Sequence, residues 1–168
     1  MTVLVLMGVS GCGKSTIAAL LAGRLGWPFA EGDDLHPPEN VAKMHAGHPL
    51  TDDDRRPWLE RIAGWIDAQI AAGRSAIVTC SALKHSYRDL LRRDQVTFVY
   101  LHGDYEQIAR RLATRQGHFM PAALLESQFA DLEPPTADEQ AIRVDIGGSP
   151  VELADEIVTT LGLIPDRS

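Results

Sequence analysis

Gly8-Val9-Ser10-Gly11-Cys12-Gly13-Lys14-Ser15 matches the pattern G-x-x-x-x-G-K-[ST] at every defined position. Thr2 to Met7 before it is a short apolar run with β-branched residues, the mark of a buried strand. After it, Ile17, Ala18, Leu20, Leu21 and Leu25 recur at helical spacing. Strand, glycine loop and helix together make the pattern a phosphate site. The glycines let successive backbone N–H groups converge on one anion. The helix start adds its unpaired N–H groups and positive dipole end. Gly8, Ser10, Gly11, Cys12, Gly13, Lys14, Ser15 and Thr16 are thus the expected nucleotide-binding residues, with Lys14 reaching the β- and γ-phosphates and Ser15 holding Mg²⁺. ATP and Mg²⁺ are the expected cosubstrate and cofactor.

Four further strands can be read outward from the loop. They are Pro28 to Ala30, Ser75 to Cys80, Val96 to Leu101 and Ile142 to Ile146. Helical periods lie between them, at Trp58, Ile62, Trp65, Ile66 and Ile70, at Tyr87, Leu90 and Leu91, and at Ile108, Leu112 and Ala113. A closing helix runs from about Val151 to Leu161, with Pro150 as its start signal. Alternating strands and helices predict a doubly wound α/β domain with a parallel sheet, whose ligands bind beyond the carboxyl ends of the strands. One domain over 1–168 suits the length. Two stretches read as irregular and are expected over the site: Gly32 to Pro57 for the acceptor, and Arg115 to Pro121 as a lid.

Composition narrows the function. A net charge of −7 argues against a nucleic-acid partner, which would demand clustered Lys and Arg. No apolar run is long enough to span a bilayer, and no signal-like segment precedes the first strand, so the cytoplasm is the expected location. Two cysteines make no disulfide framework, and the six histidines show no zinc spacing. Cys12, beside Lys14 and a helix start, is a candidate low-pKa thiol open to alkylation, with Cys80 expected near it.

Four constellations carry chemistry. Glu31-Gly32-Asp33-Asp34 ends the second strand, where one carboxylate can orient an acceptor hydroxyl and another can hold Mg²⁺ through water. The Asp that ATPases place at the end of an apolar strand is missing, since the third strand ends Thr79-Cys80-Ser81, and there is no N-K-x-D segment for guanine. A small-molecule kinase is favoured over a motor or GTPase. Arg55 and Arg56 lie near a helix start that Pro57 and Asp54 announce, where cations need an anion to explain them. Lys84, after an N-cap at Ser81, makes a second anion site. Arg110, Arg111 and Arg115 run into Gly117-His118-Phe119-Met120-Pro121, a lid that can clamp a transferring phosphoryl group and exclude water.

Gly32-Asp33-Asp34-Leu35-His36-Pro37, Lys43-Met44, Pro49 to Arg55, Pro57-Trp58-Leu59, Ser81 to Lys84, Tyr87-Arg88-Asp89 and His118-Phe119 together resemble the gluconokinases. The likeness runs from Val3 to about Asp145. It implies a five-stranded parallel sheet in the order 2-3-1-4-5, similar to shikimate and nucleoside-monophosphate kinases. It also implies ATP-dependent phosphorylation of D-gluconate on its 6-hydroxyl, and in many members a homodimer. By the same resemblance Asp33 orients that hydroxyl, Glu31 joins Ser15 at the metal, Arg111 stacks on adenine and Arg115 is the lid arginine. The acceptor contacts fall on Asp33, His36, Lys43, Arg55, Ser81, Lys84, Arg88 and His118. Lys14, Asp33 and Arg115 are the catalytic set. Arg55, Arg88 and Lys84 all stand as holders of the acceptor carboxylate. A shikimate-type kinase for another hydroxy acid, or a nucleotide-binding regulatory module, are the rival functions.

Overall fold

The computed structural model describes residues 1–114 and 122–166. Five strands, β1 (Val3–Met7), β2 (Phe29–Glu31), β3 (Ala76–Thr79), β4 (Val96–His102) and β5 (Ala141–Asp145), form one sheet in the order β2-β3-β1-β4-β5. Every neighbouring pair is parallel, so all carboxyl ends lie at one edge. The helices are α1 (Lys14–Leu25), α2 (Pro38–His45), α3 (Asp52–Ala71), α4 (His85–Leu91), α5 (Tyr105–Thr114), α6 (Ala122–Asp131) and α7 (Pro150–Leu161). The expected strand order and doubly wound class are those observed.

Strand periodicity builds the two core layers. On β1, Leu4 and Leu6 face one side of the sheet with Val99 and Leu101 of β4, under Ile17 and Leu21 of α1 and Ile157 of α7. Val3, Val5 and Met7 face the other side with Phe98 and Tyr100, under Trp58, Ile62 and Ile66 of α3 and Leu91 of α4. The central strand is therefore apolar at every position, as burial on both faces requires.

Three features differ from the sequence reading. The stretch 32–57 is not wholly irregular: it holds a 3₁₀ turn over Gly32–Leu35, the helix α2 and the start of α3. Pro38 opens α2, where its missing N–H costs nothing. Helix α3 begins one turn before Pro57, capped by Thr51. Its hydroxyl accepts from Asp54 N–H at 3.1 Å, while Asp54 accepts from Thr51 N–H at 2.9 Å. Ser81 is not a helix cap, since α4 starts at His85 behind Lys84.

A polar knot stands behind the β3–α4 turn. Ala82 there has φ +46°, a conformation L residues rarely adopt. Arg88, with 0% of its side chain exposed, donates to the Ala82 carbonyl at 2.8 Å and the Leu83 carbonyl at 3.2 Å. The same guanidinium donates to the Glu133 carbonyl at 2.8 Å and to Glu139, itself fully buried, at 3.0 and 3.3 Å. Burial pushes the Glu139 carboxyl up, but bonds from Arg88 and Thr136 N–H outweigh it and hold the group below its usual range. Removing one partner of such a pair strands a buried charge. Arg88→Met is expected to lower stability by about 3–5 kcal/mol in urea denaturation. Replacing both residues, as in Arg88→Met with Glu139→Leu, is expected to recover part of that loss.

Candidate functional site

The loop between β1 and α1 is built for an anion. Gly13, at φ +99°, is the N-cap of α1 and has no side chain to cap it. The first backbone bond of the helix runs from Ile17 N–H to the Gly13 carbonyl at 3.0 Å, so the amides of Lys14, Ser15 and Thr16 precede the ladder. Lys14 Nζ donates to the Gly8 and Val9 carbonyls at 2.8 and 3.0 Å, which folds it across the loop. The Ser81 carbonyl accepts from Gly8 N–H at 3.2 Å, so the end of β3 lies beside the loop's entrance.

The acidic strand end meets the loop directly. Ser15 Oγ donates to Glu31 Oε2 at 3.0 Å, and Thr79 Oγ1 donates to the same oxygen at 2.7 Å. Gly32 follows because no other residue fits: a Cβ there would lie 1.9 Å from the Thr79 carbonyl oxygen. Its N–H donates to Thr79 Oγ1 at 3.1 Å, and its carbonyl accepts from Trp58 Nε1 at 2.7 Å. Asp33 is the next residue and is exposed. The pairing of a serine hydroxyl with a carboxylate gives hard oxygen donors of the kind Mg²⁺ takes. No group of three or more His, Cys, Asp or Glu among the described residues forms a metal cage, and Mg²⁺ held by phosphate oxygens and water needs none.

Behind Asp33, His36 stacks on Trp58 with ring centroids 4.1 Å apart. Asn40 Nδ2 lies 3.2 Å from His36 Nδ1, and that contact assigns the ring proton to Nε2. Burial lowers the His36 pKa more than nearby Asp33 raises it, so the ring is neutral at pH 7. Arg55, buried on the first turn of α3, donates to Tyr87 Oη at 2.8 Å and to Asp131 Oδ2 at 3.2 Å. Lys84 Nζ donates to Asp52 at 2.9 Å and lies 4.0 Å from Asp131 Oδ1. Tyr87 Oη in turn donates to Asp52, which together with the Lys84 contact lowers the Asp52 pKa.

On the far side of the loop, Gly11, Gly13, Thr16, Arg111, Gly148 and Pro150 line a cavity of about 310 Å³. Arg111 Nη2 donates to the Ile146 carbonyl at 2.6 Å, which lays the guanidinium along the cavity.

Two expected acceptor residues are engaged elsewhere. Arg88 is the buried tie described above, with every guanidinium nitrogen used, so it is a structural residue rather than a carboxylate holder. Lys43 donates to Asp54 at 2.7 Å and joins α2 to α3, and that contact leads the bonds that lower Asp54 to about 2. Cys12 is 0% exposed, packed beneath the loop with Val9 and Leu101, so the expected alkylation at the phosphate face lacks an accessible sulfur. Cys80 is also buried, and burial pushes its thiol up to about 12. Arg115 and His118, with the rest of the expected lid 115–121, lie outside the described residues. The sequence reading missed α6, with Gln128 and Asp131, although Leu124, Leu125 and Phe129 carry a helical period. It also missed Thr79 and the Gly147-Gly148 turn ahead of Pro150, whose glycines were the available signal.

Comparison with known proteins agrees with this geometry. The family model described as shikimate kinase matches residues 10–161. A gluconokinase from Gluconobacter oxydans (strain 621H) is 53% identical over 157 residues, covering 92% of this chain and 88% of that protein. The thermosensitive gluconokinase of Escherichia coli (strain K12) is 50% identical over 145 residues, covering 84% of this chain and 78% of that one. The crystal structure of a gluconokinase from Sinorhizobium meliloti 1021 matches with a TM-score of 0.87 at 44% identity, over 96% of this chain and 91% of that chain. Such identity over most of each chain assigns the protein to the shikimate kinase family and, within it, to the gluconokinases.

Proposed function

We propose that the protein transfers the γ-phosphoryl group of ATP to the 6-hydroxyl of D-gluconate, giving ADP and 6-phospho-D-gluconate. The observation that carries this is the convergence of Arg55 and Lys84 on a single carboxylate, that of Asp131. A pair of cations already arranged around one carboxylate suits a sugar acid, and the named relatives act on one.

In this reading the nucleotide lies over α1, with its base against Arg111 in the glycine-lined cavity and its phosphates on the amides of Gly13 to Thr16. Lys14 leaves the Gly8 and Val9 carbonyls for the phosphate oxygens. Ser15, with Glu31 through water, would hold Mg²⁺, whose charge offsets that of the β- and γ-phosphates. Asp33 orients the acceptor hydroxyl and takes its proton as the new P–O bond forms and the bond to the ADP oxygen breaks. His36 Nε2–H, Lys84 and Ser81 bond the acceptor hydroxyls, while Arg55 and Lys84 hold its carboxylate. Arg115 clamps the phosphoryl group and His118 contacts the acceptor. A cytoplasmic location and a homodimer belong to the same proposal. No helix among the described residues is long and apolar enough to cross a membrane.

The direct test is acceptor-dependent ADP release across a panel of sugar acids and shikimate. Gluconate is expected to be preferred, and shikimate-dependent release of equal efficiency would reject the assignment. Lys14→Ala is expected to abolish turnover while leaving the thermal midpoint near that of the parent. Asp33→Asn is expected to lower kcat by about 10²- to 10⁴-fold with the KM for ATP unchanged. A larger loss from Asp34→Asn would move the role by one residue. Arg55→Leu is expected to raise the KM for gluconate by about 10- to 100-fold, the scale of a lost charge-assisted bond. An unchanged KM would leave the carboxylate to Lys84.

A further inference from the structure

Helix α6 ends on an acid. Asp131 is its last residue, at the end where unpaired carbonyls carry partial negative charge and disfavour a carboxylate. Two cations from other elements compensate. Arg55 of α3 faces Asp131 Oδ2 at 3.2 Å, and Lys84, just before α4, faces Oδ1 at 4.0 Å. One carboxylate thus divides its two oxygens between the two cations assigned above to the acceptor. The members of this cluster differ in their freedom to leave it. The Arg55 side chain is 11% exposed and is also held by Tyr87, whereas Asp131 is 26% exposed. If a second carboxylate arrives, Asp131 is the group that can return to water.

The same helix reaches the phosphate loop. Gln128, three residues back and so on the same face, accepts from Ser10 N–H at 2.7 Å and donates to Ser10 Oγ at 3.1 Å. α6 is therefore docked at two points, on the donor loop and on the acceptor cations.

We propose that Asp131 is an internal stand-in for the carboxylate of the acceptor, occupying its place until the acid arrives. It keeps Arg55 charge-paired before substrate arrives and faces Lys84, whose own hydrogen bond goes to Asp52 at 2.9 Å, and the sugar acid displaces it. A neutral polyol of the same length carries nothing to exchange for Asp131 and leaves those cations closed. This inference rests on Arg55 and Lys84 being the acceptor cations.

The test is calorimetric binding of gluconate and of glucitol, its neutral analogue, to the full-length protein. Asp131→Asn and Asp131→Ser remove the competing charge in two chemically different ways. Both are expected to tighten gluconate by about 2- to 5-fold, the return from releasing a part-exposed ion pair, and to leave glucitol unchanged. Asp131→Glu keeps the charge and is expected to match the parent. In steady state the neutral variants lower the KM for gluconate without raising kcat, a change that mere loss of structure does not produce. Gluconate binding that is unchanged or weaker in both neutral variants, while Arg55→Leu weakens it at least 10-fold, would overturn the stand-in and keep the cation assignment. Equal tightening of glucitol would also overturn it. Arg55→Leu and Lys84→Met both without effect on gluconate would show instead that the cation assignment had failed.

Discussion

A single hydroxyl group joins the two halves of the site. Thr79, the last residue of β3, accepts from Gly32 N–H and donates to Glu31, and Glu31 also receives the Ser15 hydroxyl. Strand β2 thereby stays in register with β3 beyond the end of its ladder, and its carboxylate is set against the first turn of α1. Gly32 makes the approach possible by having no Cβ, and Trp58 Nε1 holds its carbonyl. The acidic residues that follow inherit their position from this contact. Thr79 is buried, so its two bonds form away from competing water and an unsatisfied partner would be costly there.

The acceptor side depends on a second set of buried polar contacts. Arg88 and Glu139 lie behind the turn that carries Ser81 to Lys84, and they fix its carbonyls without touching the open face. Because the knot also holds the Glu133 carbonyl, it pins the chain that leaves α6, two residues after Asp131. The turn and the end of α6 therefore move as one unit. A buried charge pair is a poor source of net stability but a stringent constraint on geometry, since nothing else can satisfy it.

Electrostatics explains why the cations come in this arrangement. The chain carries a net charge of −7, and its acceptor and nucleotide are both anions. Binding needs a local reversal of the field, and Arg55, Lys84, Lys14 and Arg111 supply it at one edge of the sheet. Leaving such charges buried and unpaired would be expensive. Each therefore has a partner within the fold: Asp131 and Tyr87 for Arg55, Asp52 for Lys84, loop carbonyls for Lys14, and the Ile146 carbonyl for Arg111. The neutral carbonyls that hold Lys14 are weaker acceptors than the charged phosphate oxygens proposed to replace them.

The amino-acid sequence by itself determined the phosphate loop, the five strands and their parallel arrangement. Those signals are local: a glycine spacing, a two-residue or a 3.6-residue period. It also marked Glu31, Asp33 and Arg55, because charged residues at strand ends and helix starts are legible without knowing what faces them. What only the tertiary structure decided was partnership. Lys43, Arg55, Lys84 and Arg88 look alike in sequence, but folding buries Arg88 against Glu139, 51 residues away, and turns Lys43 toward Asp54. It sets Arg55 and Lys84 around Asp131. Cys12 sits in a loop that reads as reactive, yet its sulfur packs under the loop, since the backbone and not the side chain faces the anion. Side-chain direction and long-range pairing depend on packing between elements distant in the chain, and no local period encodes them.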